Sequence, residues 1–309
     1  MPEIGQADRF AGDLRRLRRL DEAIKAVRVL APQAALAREH QRLWRADITS
    51  STALAGSTLD PREVDALLDR GLALGDRPFA HYVLVRNYAD ANRWVAEQRA
   101  RGSSDRRPLL VLDEVRQLHA RVVAGAAGRG GAWRLGNPPP RDAVVAPGAW
   151  LVPREMEALV DRLARGPGDA PIALWLARAF GRIARIHPFE DGNGRVARLT
   201  ANLLLRRLDA PPMVLELPER RRFGTAVAAA EANEPAALAK LIADAVVRSC
   251  DRLIAVAHAA HDPLAPLRDL AGDAYAALAK AAQRGTLRTV LRGGRYFTTP
   301  GWISEYRRR

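Results

Sequence analysis

The chain has 309 residues, enough for two or three modest domains and a sizeable buried core. Apolar residues make up 48% and alanine dominates, which excludes a disordered chain and points to a globular, largely helical one. The net charge of +14, from 49 Lys+Arg against 35 Asp+Glu, suggests a polyanionic partner, nucleic acid or nucleotide, although an arginine-rich coding bias alone would produce the same excess. No long uncharged apolar run or signal-peptide pattern appears, and Cys250 is the only cysteine, so no membrane span and no internal disulfide are expected, and the expected location is a reducing cytoplasm.

From Leu14 to about Asp47 the pattern is helical, with Leu17, Leu20, Ile24, Val27 and Leu30 between charges, and Pro32 is expected to kink or break it. "DPREVDALLDRG" predicts a second helix: Asp60 as cap, Pro61 at its first position, Glu63 completing a capping box and Gly71 at its end. "HYVLVRNYADANRWVAEQRARG" reads as a third, with Tyr88, Ala91 and Trp94/Val95 at core spacing, and another runs from about Leu109 to Val123. The Gly- and Pro-rich stretch 125–150 breaks the pattern and is too long for a simple connector. Helices resume at "VPREMEALVDRLARG", at 171–186 and at "RVARLTANLLLRRL", whose Val196, Leu199 and Leu203 share a face. Over 171–186 the only strongly polar side chains are Arg178, Arg182 and Arg185, one narrow wet stripe on an otherwise buried helix.

Between the last two helices lies "HPFEDGNGR", 187–195, with a histidine, two carboxylates, an asparagine, two glycines and an arginine in nine positions. Gly192 and Gly194 let the backbone turn tightly and approach a ligand. A helix beginning near Asn193 presents unpaired N–H groups and the positive end of its dipole to an anion. Arg195 and Arg198 are three apart in its first turn, and both side chains lean back toward the same anion. These parts describe a polyphosphate cradle. A polyphosphate arrives with Mg²⁺, for which Asp191 is placed as ligand, while Glu190 should project elsewhere. A histidine, whose unperturbed pKa is about 6.5, can take a proton from an alcohol at neutral pH, and His187 is placed to do so. Pro188 stops the helix, and Phe189 is an apolar peg.

"HPFEDGNGRVAR" resembles the signature of the Fic family, His-x-Phe-x-Asp/Glu-Gly-Asn-Gly-Arg-x-x-Arg, and matches every defined position: His187, Phe189, Asp191, Gly192, Asn193, Gly194, Arg195 and Arg198. The resemblance implies a mainly α protein: a Fic-type helical bundle with a β-hairpin flap within 125–150 that docks a target protein, "GAWR" at 131–134 resembling its start and the prolines at 138–140 departing from it. It also implies AMP transfer from ATP to a Tyr, Thr or Ser hydroxyl, with release of pyrophosphate. His187 would deprotonate the hydroxyl and Asp191 would hold Mg²⁺. Asn193 and the backbone at Gly192 and Gly194 would hold phosphates, Arg195 the β-phosphate and Arg198 the γ-phosphate. Many family members carry an inhibitory helix, Ser/Thr-x-x-x-Glu-Gly/Asn, whose glutamate pairs with the second signature arginine. Here Ser51, Ala55 and Gly56 match it except that alanine replaces the glutamate. De-AMPylation, which leans on that glutamate, and the kinase-like branch, which has lysine in place of Gly194, are both disfavoured.

Residues 268–309 read as a helix, a Gly turn, a short helix, an "RGGRYF" hairpin and a last helix opening at Thr299-Pro300. That order resembles an excisionase-like winged helix-turn-helix, with Arg288, Arg292 and Arg295 as phosphate or base contacts to DNA and a basic protein-docking cap as the alternative. The expected layout is therefore an N-terminal helical region (1–104), a Fic core (105–250), a connecting helix or linker (251–267) and the small C-terminal module (268–309). The lead function is protein adenylyl transfer, to a target and to the chain itself. Its alternatives are another Fic-type phosphotransfer and a DNA-binding regulator that uses the fold as a nucleotide sensor. The expected partners are ATP, a target protein and DNA, with a homodimer as an allowed assembly and no membrane.

Overall fold

A computed structural model describes residues 4–30, 34–100, 108–125, 129–139 and 144–308. They divide into two compact units, Met1–Val29 with His40–Asp251, and Leu30–Glu39 with Arg252–Arg309. Helices α1 (Ile4–Arg28) and α2 (Ala34–Leu54) flank the expected break, and Pro32 itself lies outside the described residues. Helix α3 (Pro61–Arg70) has the predicted ends: Asp60 and Glu63 form the reciprocal capping box at 2.9 and 2.8 Å, Pro61 opens the helix, and Gly71 closes it in the left-handed conformation at φ 68°. Helices α4 (Phe79–Ala96), α5 (Leu112–Val122), α6 (Val152–Ala164), α7 (Ile172–Ile186) and α8 (Asn193–Arg207) follow as the apolar spacing predicts. Beyond them come α9 (Arg220–Glu231) and α10 (Ala236–His261), the latter unbroken through part of the expected linker.

The first unit is built around α7, which packs on α1, α6, α8 and α9, while α8 also packs on α4 and α5. At Gly181 a Cβ would lie 2.6 Å from the carbonyl oxygen of Ala230, so glycine is what lets α7 and α9 approach this closely. The wet stripe of α7 is real: Arg178 is exposed, Arg182 pairs with Glu155 of α6, and Arg185 donates to the Glu231 carbonyl at 3.5 Å. Cys250 is buried as expected of a packing residue, and burial pushes its thiol up to about 12. None of the described helices is long and apolar enough to cross a membrane.

The stretch 125–150 does not form the expected β-hairpin flap among its described residues: 129–139 and 144–150 contain a lone bridge residue, Val144, and no strand. Pro138, Pro139 and Pro147 have no N–H to donate to a ladder, and the carbonyls of Gly136 and Pro147 are taken by the Arg134 guanidinium. Residues 126–128 and 140–143, Pro140 among them, lie outside the described residues.

The second unit contains the strands β1 (Ala265–Pro266), β2 (Val290–Arg292) and β3 (Arg295–Thr298), an antiparallel sheet in the order β1-β3-β2. With them come α11 (Leu267–Ala271), α12 (Tyr275–Gln283) and α13 (Pro300–Arg308), packed around Leu267, Leu278, Ala281, Leu287 and Ile303. The hairpin turns at Gly293–Gly294, both left-handed at φ 54° and 73°, and the last helix opens at Pro300, as the sequence indicates. The expected short recognition helix is absent: 286–289 are not helical, and Val290–Arg292 is strand β2. Gly285 ends α12 in the left-handed region, Thr286 and Leu287 donate back to the Ala281 carbonyl, and Leu287 is drawn into the core, so the chain goes straight from helix to strand. Arg309 lies outside the described residues.

Candidate active site

The site forms where α7 ends and α8 begins. His187 caps α7 in the left-handed conformation, φ 49°, which is unusual for a residue with a side chain, and its N–H still reaches the Ile183 carbonyl at 2.9 Å. Phe189 is fully buried, stacked on His119 of α5 with ring centroids 3.7 Å apart and on Trp133 at 5.1 Å. Asn193, the first residue of α8, spends both ends of its amide on the Phe189 backbone: Oδ1 accepts from the N–H at 2.9 Å and Nδ2 donates to the carbonyl at 2.8 Å. Its visible work is therefore to close the loop, while its second Nδ2 hydrogen is not used by these two bonds. Gly192 precedes α8 at φ 79°, with Val122 and Val123 near enough that a Cβ would touch both at 3.3 and 3.4 Å.

The expected metal ligand and the two arginines are differently dressed. Asp191 is 83% exposed, and one oxygen receives the Arg195 guanidinium at 2.7 Å. Arg195 also donates to the Val122 carbonyl at 3.0 Å. Glu190 turns away, as expected, and accepts from the Leu135 N–H at 3.0 Å. Arg198 is buried: Nε donates to the Ser51 hydroxyl at 3.2 Å and one terminal nitrogen to the Ser51 carbonyl at 2.9 Å. Burial lowers its pKa, and Tyr88 and Asp47 oppose that shift. Thus Ser51, in the segment that resembles the inhibitory motif, lies against Arg198, while Ala55 is exposed just past α2 and Gly56 turns the chain at φ 102°.

A cavity of about 420 Å³ is lined by His187, Asn193, Gly194 and Arg198 on one side and by Phe180, Phe223, Val227 and Ala228 on another. Its lining also includes Glu231, and a cation and polar groups set among mostly apolar side chains suit a ligand with a phosphate chain and a flat base. No cluster of three or more His, Cys, Asp or Glu that could enclose a metal exists among the described residues. In the second unit, Arg288 stacks on Trp302 at 4.3 Å and Arg292 on Phe297 at 5.9 Å, whereas Arg295 is exposed on the hairpin.

Three contributions were not read from the sequence. Arg134, 2% exposed, donates Nε to the His187 carbonyl at 2.8 Å and its other nitrogens to the carbonyls of Ile186, Gly136 and Pro147, while its own N–H reaches the Pro188 carbonyl at 3.0 Å. It ties 131–149 to the loop, and the "GAWR" match was its only visible trace. His119 accepts from the Gly131 N–H at 2.9 Å, and burial pushes its pKa down to about 4, so it is a neutral stacking partner for Phe189. Asp47, buried in α2, accepts from Ser51 at 3.0 Å, Tyr88 at 3.1 Å and Asn92 at 2.8 Å. Its spacing of four from Ser51 was the available sign.

Residues 109–205 match the Fic/DOC family. The chain is 23% identical over 260 residues to the protein adenylyltransferase Fic of Aedes aegypti, a match covering 77% of this chain and 48% of that protein, so it spans about half the length of such curated relatives. Its fold is that of Fic-1 from C. elegans, with a TM-score of 0.72 and 21% identity over 82% of this chain and 76% of the other. A Fic-domain-containing signaling protein from Bacteroides thetaiotaomicron is also similar, with a TM-score of 0.68 and 23% identity over 78% and 96% of the two chains. The signature loop at 187–198 thus lies inside the segment, 109–205, that matches the Fic/DOC family.

Proposed function

We propose that the protein transfers AMP from ATP to a Tyr, Thr or Ser hydroxyl of a target protein, and to itself, releasing pyrophosphate. The observation that carries the reading is a cavity whose lining includes His187, Asn193, Gly194 and Arg198 together with Phe180, Phe223 and Val227. The His187 imidazole takes the proton of the incoming hydroxyl. Its oxygen forms the new bond to the α-phosphorus while the bond to the bridging oxygen breaks and pyrophosphate leaves. The N-terminal turn of α8 and Arg198 neutralise the phosphate chain, so positioning and charge carry most of the rate. Asp191 suits Mg²⁺, which takes one or two carboxylates plus phosphate oxygens and so needs no protein cage. When bound, the ion would offset phosphate charge. Arg195, now on Asp191, would turn to phosphate as the carboxylate turns to the ion. The target would dock along 129–149, held against the loop by Arg134. The test is incubation with α-labelled ATP. The protein should label itself, and His187→Ala should lose labelling by at least about a thousand-fold while binding ATP normally. Failure of the wild type to label anything, or collapse of ATP affinity in the variant, would refute the assignment.

A second reading concerns the C-terminal unit, where a Gly293–Gly294 turn flanked by the cross-strand pair Arg292 and Arg295 makes a basic hairpin tip. We propose that it contacts DNA phosphates without reading bases, since no recognition helix accompanies it. Binding of the full chain to duplex DNA should weaken steeply with salt. Retention of full binding by the Arg292→Ala/Arg295→Ala double variant would remove the hairpin from consideration.

A further inference from the structure

Arg198 is a buried cation in a site that lacks the family's glutamate, and a buried charge without a counter-charge is costly. Its surroundings supply one from another place. Asp47, Ser51 and Ala55 are spaced four apart, so the first two share a face of α2 and the third follows on it. At the outer position stands alanine, and at the inner one a carboxylate that is 1% exposed. The groups facing that carboxylate are Ser51 on its own helix, Tyr88 and Asn92 from α4, and Arg198 from α8. Three neutral donors and one cation converge on it, which is the arrangement of a held anion. The Ser51 hydroxyl is the relay: it donates to Asp47 Oδ1 at 3.0 Å and accepts from Arg198 Nε at 3.2 Å. Two of the three guanidinium nitrogens are thus occupied by Ser51. The remaining one, Nη1, lies 3.6 Å from where a Cβ on Gly194 would sit, and both residues line the cavity.

We infer that Asp47 is a positioning residue: acting through Ser51, it holds the Arg198 guanidinium in a fixed orientation with Nη1 presented to the terminal phosphate of a bound nucleoside triphosphate. The inference rests on the proposed reading of Arg198 as the γ-phosphate contact. A carboxylate that merely braced α2 against α4 would need Tyr88 and Asn92 but not the Ser51–Arg198 relay. The desolvated carboxylate, pushed up to about 6, shows how strongly the site resists a bare charge and so how much it depends on this set of partners.

The test compares binding of ATP, ADP and AMP to the full chain by calorimetry, in the wild type, Asp47→Asn, Ser51→Ala, Arg198→Ala and the Asp47→Asn/Arg198→Ala double variant. Asp47→Asn should weaken ATP about ten-fold, the order of one charge-assisted hydrogen bond, and change ADP and AMP by less than about two-fold. The double variant should be no worse than Arg198→Ala alone. Ser51→Ala breaks the relay itself and should weaken ATP about as much as Asp47→Asn, about ten-fold, with ADP and AMP again changed by less than about two-fold. Equal weakening of all three nucleotides by Asp47→Asn would make it a fold brace and overturn the inference. So would unchanged ATP affinity in both Asp47→Asn and Ser51→Ala, or additive losses in the double variant. If Arg198→Ala itself leaves the ATP-over-ADP preference intact, the γ-phosphate reading falls and this inference with it. If Arg198→Ala abolishes the preference and the Asp47 and Ser51 variants keep it, only the inference falls.

Discussion

Two stretches border the candidate site, both rich in Gly, Pro and polar residues, and they are ordered in different ways. The loop 187–198 is closed on itself by two local clasps, Asn193 on Phe189 and Arg195 on Asp191, each four residues apart, and distant segments join it through Arg134, Leu135, Val122 and Ser51. The stretch 129–149 has local bonds among its described residues, such as Ala132 N–H to the Arg129 carbonyl at 3.0 Å, but these do not reach the loop. It is held by Arg134, whose partners His187 and Ile186 lie 53 and 52 residues on, and by Asn137, which accepts from the Ala149 N–H at 2.8 Å. Short-range bonds leave a pattern in sequence; long-range ones do not. That is why a nine-residue motif was readable and its neighbour's single staple was not.

The sharpest way to break the comparison is Arg134→Ala. It strands the carbonyls of His187 and Ile186 beside the site and frees those of Gly136 and Pro147, and we expect a loss of about 3 kcal/mol in chemical denaturation together with loss of self-labelling. Asn193→Ala removes two bonds to one backbone unit and should cost about 2 kcal/mol, with the damage confined to the loop. If the asparagine variant proves the more damaging, the distant staple is not what orders 129–149.

His119 links the two stretches, since it stacks on Phe189 and accepts from Gly131. Its pKa is lowered from 6.5 to about 4 by burial, so the folded state binds its proton less readily than the unfolded state. Its contribution is fully present above pH 6.5 and is lost as pH falls through about 4, at most about 3 kcal/mol for a shift of this size. Asp47 works in the opposite sense: its folded pKa of about 6 exceeds the ordinary 3.8, so stability rises as pH falls between those values. The stability of His119→Gln should therefore fall less steeply than that of the wild type between pH 6.5 and 4.5. Parallel urea titration curves over that range would contradict the assignment of a buried neutral imidazole.

The smallest expected effect comes from Ala55→Glu. It would return a carboxylate to the outer end of the Asp47–Ser51 face, where it can compete for the Arg198 nitrogen that faces the cavity. We expect self-labelling to fall about ten-fold, equivalent to about 1.4 kcal/mol of lost alignment. Equal rates for the two proteins would mean that residues 50–56 hold the arginine without regulating it.

What the sequence determined by itself is whatever depends on near neighbours. The capping box of α3, the glycine stops, the apolar faces of α7 and α8, and the coincidence of base, acid and cations at 187–198 all follow from spacing within a turn or two. The two misreadings have the same cause. Local order predicts a short helix between the Gly turn and the "RGGRYF" hairpin, but pairing of Val290 and Leu291 with β3 and the burial of Leu287 make that segment a turn and a strand. The resemblance implies a hairpin within 125–150, but prolines without donors and the carbonyls captured by Arg134 leave no strand among its described residues. The partners of Arg198 were likewise a tertiary decision. Nothing local to α8 says that a serine 147 residues away will meet its guanidinium, because only the packing of α2 against the bundle brings that buried carboxylate and this buried cation into one desolvated volume.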